Sequence, residues 1–210
     1  MPPRPITPDR GDRILDAAAT VFARDGFAAA RMEDVATEAG LSKGTVYLYF
    51  DGKEQLIDAL VDRLVGWEVR RLEQVAAADG PILDRLLGFV SGYAADVAAA
   101  GELGPVVLEV YARAGRAGTI QQTLRRSFEA YVAALEALVA AGVERGELRP
   151  TDARVVALEI AALLEGIVLL WLVDPTAVAV DQVAEQGVRL LLEGLRIEAG
   201  EASPAARPPR

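Results

Sequence analysis

The chain has 210 residues and carries 22 Lys and Arg against 31 Asp and Glu, a net charge of −9, with neither cysteine nor histidine. This composition excludes a disulfide framework and a thiolate metal site, and removes the commonest general base and the commonest zinc ligand, so most familiar enzyme sites are excluded with them. Residues 1–53 hold seven basic and eight acidic side chains and the remainder fifteen and twenty-three, so the nearly neutral N-terminal quarter is free to face nucleic acid while the acidic bulk lies away from it.

The first ten residues, rich in proline and charge, lack the apolar core of a secretory signal. The most apolar stretch, Ile160 to Val173, is interrupted by Glu165 and is expected to be too short for a bilayer. A soluble cytoplasmic protein without a membrane partner is the expectation. Strand signals are almost absent, whereas helical spacing recurs from Asp9 to about Ala199, which predicts an all-α fold of about nine helices. In the first helix Ile14, Leu15, Ala18, Val21 and Phe22 form one stripe that Asp25-Gly26 ends. A short second helix turns Met32, Val35, Ala36 and Ala39 inward and stops at Gly40.

Gly40 suits a left-handed residue after a helix, Leu41 packs back on the preceding turn, and Ser42 is placed to cap a third helix through the N–H of Thr45. That third helix buries Val46 and Phe50 and turns Gly44, Thr45 and Leu48 outward, with Tyr47 and Tyr49 on its flanks. The only lysines, Lys43 and Lys53, bracket it. Helix, tight turn and helix at this spacing form a DNA-binding motif, in which compact ammonium groups and hydroxyls engage phosphates while the helix sits in a groove.

Asp51 to Glu54 reads as a capping box opening a long fourth helix, whose Leu56, Ile57, Leu60 and Leu64 continue toward Trp67 and Leu72. Breaks at residues 79–81, 100–105, 115–118, 146–151 and 174–175 delimit about five further helices. In the last two, Leu164, Val168 and Trp171 on one and Val183, Gly187 and Leu191 on the other lie in apolar stripes. These stripes have two readings, a four-helix interface with a second copy or completion of the chain's own core.

On Ile14, Ala17-Ala18, Phe22, Gly26-Phe27, Met32-Glu-Asp-Val-Ala36, Ala39-Gly-Leu-Ser42, Gly44-Thr-Val-Tyr47, Tyr49-Phe50, Lys53 and Leu56, the chain resembles the TetR family of bacterial repressors, in its broad AcrR-like branch. The resemblance is weaker beyond residue 56, where Glu165-Gly166 and the final Leu-Leu-Glu-Gly-Leu195 are similar to the family's C-terminal domain. It implies a three-helix DNA-binding domain at 9–53 and a helical ligand-binding and dimerisation domain at 54–199; by composition the flanks read as a flexible arm at 1–8 and a disordered tail at 200–210.

Carried over by position, the resemblance implies that Lys43, Gly44, Thr45 and Leu48 face the major groove and that Tyr47, Tyr49 and Lys53 hold the phosphates, with Ser42 also counted among the DNA-binding residues. Where the family has small hydroxyl residues before the second helix this chain has Ala30-Arg31, so that cap is lost; Arg31 either reaches a phosphate or is an exposed charge. Arg4, Arg10 and Arg13 either enter the adjacent minor groove or belong to a disordered leader.

Trp67, Phe89, Tyr93, Leu108, Tyr111, Phe128, Tyr131 and Trp171 are the candidates for lining an effector pocket, each with core packing as its alternative. Glu109 is placed to pair with Arg113 at i,i+4. Glu165, inside an apolar stripe, pairs with an arginine, meets a polar edge of the interface or attracts a cationic ligand. The expected function is a ligand-responsive repressor that binds a palindromic duplex operator as a homodimer and is released by a small apolar or amphipathic molecule, with no cofactor. The alternatives are the same fold as an activator or ligand-independent DNA binder, and an all-α enzyme using carboxylates such as Glu102 and Glu109.

Overall fold

The computed structural model describes residues 8–99, 101–114 and 118–197. The rest of the expected arm, with Arg4, and the tail at 200–210 lie outside the described residues, as do the side chains of Leu64, Glu102 and Arg113 and hence the Glu109–Arg113 pair. Nine α-helices and no strand occur among the described residues: α1 (Pro8–Ala29), α2 (Met32–Glu38), α3 (Lys43–Tyr47), α4 (Lys53–Ala77), α5 (Ile82–Ala99), α6 (Gly104–Ala114), α7 (Thr119–Glu144), α8 (Ala153–Val173) and α9 (Val180–Glu193), with a 3-10 turn at Gly101–Leu103. Gly26, at φ 75° and ψ 153°, breaks the helical geometry of α1 where the sequence predicts its end.

The chain divides into two compact units, one of residues up to Arg70 with Asp96–Tyr131 and another of Arg71–Ala95 with residues from Val132 onward. In the first, Ile14, Phe22, Val35, Val46, Leu56 and Ile57 are buried together with Val106 and Val110 of α6 and Ile120 of α7. The rings of Phe22 and Phe27 meet at 5.3 Å in a tilted pair, a geometry that adds to plain area burial. The fold thus draws α6, which lies in the sequence segment expected to bind ligand, into the core beneath the helix-turn-helix.

In the second unit Leu72, Leu86, Phe89, Leu135, Leu138 and Ile160 are buried. Polar groups close its corners. Arg85 is buried, and its Nε donates to the Val75 carbonyl at 2.8 Å at the end of α4. Glu147 accepts from the Ile82 N–H at 2.5 Å, and Arg145 donates to the Gly80 carbonyl at 2.7 Å. Partial burial pushes the Glu147 carboxyl up, but the Ile82 N–H and Arg145 together hold it below its ordinary range. Asp152 caps α8, accepting from the N–H groups of Arg154 and Val155.

Two expectations about α8 are corrected. The helix begins at Ala153, before the apolar run, and its 21 residues are long and apolar enough by length and composition to cross a bilayer; its inner face is instead buried in the second unit. Leu164 and Val168, expected at an interface between copies, are buried in their own chain, and a Cβ on Gly187 would meet Leu163 Cδ2 at 2.8 Å, so that glycine allows α9 to approach α8 within one chain. Trp171 and Leu191 are half-buried, and Val183 is exposed. The outward side of α8 carries Val155, Leu158, Leu169, Leu170 and Val173, and that of α9 Val183 and Leu190.

Candidate nucleic-acid interface

The corner between α2 and α3 is built from local hydrogen bonds. Gly40 adopts φ 63°; its N–H reaches the Thr37 carbonyl at 3.0 Å and the Leu41 N–H reaches the Ala36 carbonyl at 2.9 Å, the paired bonds of a Schellman motif. Ser42 then opens α3, its hydroxyl accepting from the Thr45 N–H at 3.1 Å. A longer-range tie completes the corner, because Arg13 of α1 donates to the Ala39 carbonyl at 2.8 Å. Arg10 and Arg13 lie within α1, and Arg13 is committed to this turn rather than to an arm in the minor groove.

Arg31 is exposed at the N-cap of α2, where a guanidinium has no lone pair to offer the helix. The cap is made from the other side: Asp34 accepts from the Arg31 backbone N–H at 3.0 Å, one half of a capping box, and with Glu33 it places two carboxylates in the positive first turn. The sequence carried a signal for this in the acidic residue three positions beyond the cap.

On α3 the inner side is Val46, fully buried, while Lys43, Gly44, Tyr47 and Leu48 are exposed. A Cβ on Gly44 would meet nothing within 4 Å, so the backbone there is open to approach. Thr45 is half-buried, and its hydroxyl lies 2.8 Å from that of Ser42. Lys43 is ion-paired with Glu33 of α2, and its Nζ lies 5.7 Å from the centroid of the Tyr47 ring. The hydrogen bond from Lys43 holds the Glu33 carboxyl below its ordinary range and the same bond raises the Lys43 ammonium.

Two flanking residues stand differently from what their motif positions suggest. Tyr49 is half-buried, packed against the core with Cδ1 3.8 Å from a Cβ position on Gly11. Lys53 donates to the carbonyls of Phe27 at 2.6 Å and Ala28 at 3.1 Å, with its Nζ 4.8 Å from the Phe27 ring centroid. It staples the start of α4 to the irregular chain after Gly26. Arg24 similarly joins α1 to α2 through Glu38 at 3.2 Å and also binds Asp25 at 2.9 Å; Asp25 is lowered chiefly by that hydrogen bond.

The pocket candidates divide between the units. Trp67, Leu108, Tyr111 and Phe128 in the first are exposed and Tyr131 is buried; Phe89 and Tyr93 in the second are buried and stacked at 6.2 Å, and Trp171 is half-buried. Glu165 is half-buried and engaged with a partner. Among the described residues no group of His, Cys, Asp and Glu is arranged to hold a metal ion.

Residues 14–60 match the family model for bacterial regulatory proteins of the tetR family, and residues 83–196 match that for the C-terminal domain of BetI-type transcriptional repressors. These matches establish the family and not the AcrR-like branch. The chain is 32% identical over 149 residues to the uncharacterized HTH-type transcriptional regulator YfiR of Bacillus subtilis, covering 68% of this chain and 70% of the relative. Its fold is similar to that of the transcriptional regulator FadR from Bacillus subtilis in complex with stearoyl-CoA, with a TM-score of 0.77 at 23% identity over 88% of this chain and 99% of that one. It is also similar to SmeT, the repressor of the Stenotrophomonas maltophilia efflux pump SmeDEF, in its triclosan complex, with a TM-score of 0.78 at 18% identity over 96% of this chain and 98% of that one. These proteins are regulators, not enzymes, and the chain belongs to the TetR family of transcriptional regulators.

Proposed function

We propose that this regulator is a cytoplasmic, ligand-responsive repressor that binds a roughly palindromic operator as a homodimer. The observation that carries the DNA-binding part is α3 itself: capped by Ser42, anchored by buried Val46, with Lys43, Gly44, Tyr47 and Leu48 exposed. In this reading Lys43, Gly44, Thr45 and Leu48 meet base edges in the major groove. Tyr47 and Arg31 lie beside phosphates, and Tyr49 and Lys53 border them while holding the helix in place. The functional division into a DNA-contacting segment at 9–53 and a sensor and dimerisation segment at 54–199 follows the same reading. Lys43→Ala and Thr45→Ala should change the consensus returned by a randomised-operator selection, and an unchanged consensus would rule out the groove assignment.

The dimer reading is supported by the outward side of α8. At 100° per residue, Val155, Leu158, Ala162, Gly166, Leu169 and Val173 fall within a stripe about 80° wide. Ala162 lies on its midline and Gly166 at one edge, small residues midway along the helix that let a partner helix approach closely, and Val183 and Leu190 extend the apolar surface onto α9. Two α3 helices related by a two-fold axis would enter successive major grooves about 34–36 Å apart.

The effector reading is supported by two structural neighbours that hold an acyl-CoA and triclosan, both with large apolar parts. Coupling is supported by α6, whose Val106 and Val110 share a core with Ile14, Val35 and Val46. A ligand that shifts α6 would therefore repack the helices that carry α3, and a coupling of about 1–3 kcal/mol gives a several-fold to hundredfold change in operator affinity. Footprinting with and without a long-chain acyl-CoA tests it: protection should be lost on addition, and a footprint insensitive to acyl-CoA and other amphiphiles would leave a ligand-independent binder.

A further inference from the structure

Among the groove-facing groups of α3, two already have partners within the chain. The Thr45 hydroxyl is 2.8 Å from that of Ser42. Lys43 is paired with Glu33 across the α2–α3 corner, ten residues away. Lys43 occupies the first position of α3, where the positive end of a helix disfavours a cation, and a carboxylate opposite it offsets that. Both side chains are about half exposed, 55% for Lys43 and 52% for Glu33, so solvent and DNA reach the pair. An exposed pair of this kind adds little to stability. Its consequence lies in what DNA must do to engage Lys43.

We propose that Glu33 sets the affinity of the α2–α3 corner for DNA, as an internal acceptor that competes with bases and phosphates for Lys43. The proposal rests on the reading of α3 as the helix that enters the groove. On a cognate site, guanine O6 and N7 accept from the ammonium, and the exchange leaves the Glu33 carboxylate unpaired beside the phosphates. On other sequences Lys43 stays with Glu33, its charge neutralised locally and unavailable to displace counterions, and the carboxylate itself stands close to the phosphates. Glu33 therefore weakens binding to all DNA, and cognate binding at least as much as non-cognate, because there the guanine must displace it.

The test compares Glu33→Gln, Lys43→Gln, the double variant and Glu38→Gln on a cognate and a scrambled 30-base-pair duplex across a salt series. Glu38 is the control, an exposed carboxylate on the same helix paired with Arg24 instead. Glu33→Gln should tighten scrambled-duplex binding by about three- to tenfold and steepen its slope of log K against log salt by up to about 0.9, the release expected for one more neutralised phosphate. Cognate binding should tighten at least as much, so that the specificity ratio does not fall. The gain should vanish in the Lys43→Gln background and be smaller in Glu38→Gln. A gain that persists without Lys43, or one matched by Glu38→Gln, would show a bulk charge effect and overturn the proposal. If instead Lys43→Gln alone leaves both duplex affinities unchanged, the assignment of α3 to the groove fails along with it. Thermal unfolding of each variant separates these outcomes from misfolding, and Glu33→Asp, which keeps the charge but is one methylene shorter, should tighten binding less than Glu33→Gln.

Discussion

The α2–α3 corner and the α8–α9 pair are both helix-turn-helix arrangements, yet one was legible residue by residue and the other was not. In the corner, each structural decision is made over six residues or fewer: Gly40 supplies the left-handed step, Leu41 and Gly40 return hydrogen bonds to Ala36 and Thr37, and Ser42 caps to Thr45. In α8 nearly every position from Val155 to Val173 is apolar, so periodicity cannot say which side faces inward. The structure turns Ile160, Leu164, Ile167 and Val168 in and leaves Val155, Leu158, Leu169 and Val173 out. Local chemistry specifies a corner; only the packing partner specifies the face of a uniformly apolar helix.

The largest effect that would break this contrast is at Leu164. Leu164→Ala should destabilise the protein by about 2–5 kcal/mol, as for other fully buried leucines, with an unfolding transition that reports lost core packing in the monomer. Val155→Glu, on the exposed stripe, should instead leave the fold stable to within about 0.5 kcal/mol and shift the sedimentation profile of the proposed dimer toward monomer. If Leu164→Ala proved neutral to folding but dissociated the protein, the inward and outward faces of α8 would have to be exchanged.

Smaller effects are expected at the corner. Gly40→Ala forces a side chain into φ 63° at a cost of roughly 1–2 kcal/mol, and Ser42→Ala removes the cap of α3 for about 1 kcal/mol, both measurable by urea unfolding. The two should be non-additive, since both act on one turn. Strict additivity would mean that α3 is held by Val46 alone.

What escaped the sequence reading in the head was contact at a distance. Arg13 and the Ala39 carbonyl are 26 residues apart, as are Lys53 and the Phe27 carbonyl. A lysine placed by a motif beside a phosphate and a lysine that staples two helices have the same local sequence, and only the approach of α4 to the end of α1 distinguishes them. Glu33 was passed over for the same reason, because its partner lies on the next helix. The pocket candidates, Leu108 apart, share only aromatic character, which cannot separate buried Phe89 and Tyr93 from exposed Trp67 and Phe128. Helix number and the breaks between helices were legible because glycine and proline set them locally.

The smallest predicted effect sharpens the comparison through pH. Asp174, just after α8, accepts from the Thr176 hydroxyl at 2.7 Å and from the N–H groups of Thr176 and Ala177 at 3.0 and 3.1 Å, and these neutral dipoles, the Thr176 hydroxyl first, hold its carboxyl below the ordinary range. Glu33 is lowered chiefly by the hydrogen bond from the charged Lys43. In both cases the folded pKa lies below the unfolded one, so the stabilisation is present above the unfolded value of roughly 4 and is lost as pH falls through the folded value. Ionic strength separates them. Raising salt to about 1 M shortens the Debye length to about 3 Å, which should return the Glu33 titration toward its ordinary position while leaving Asp174 low, as followed by carboxyl-carbon NMR. Equal salt sensitivity at the two sites would mean that Glu33 is held by helix α2 and its own backbone rather than by Lys43, and the corner would then owe its charge pattern to local structure alone.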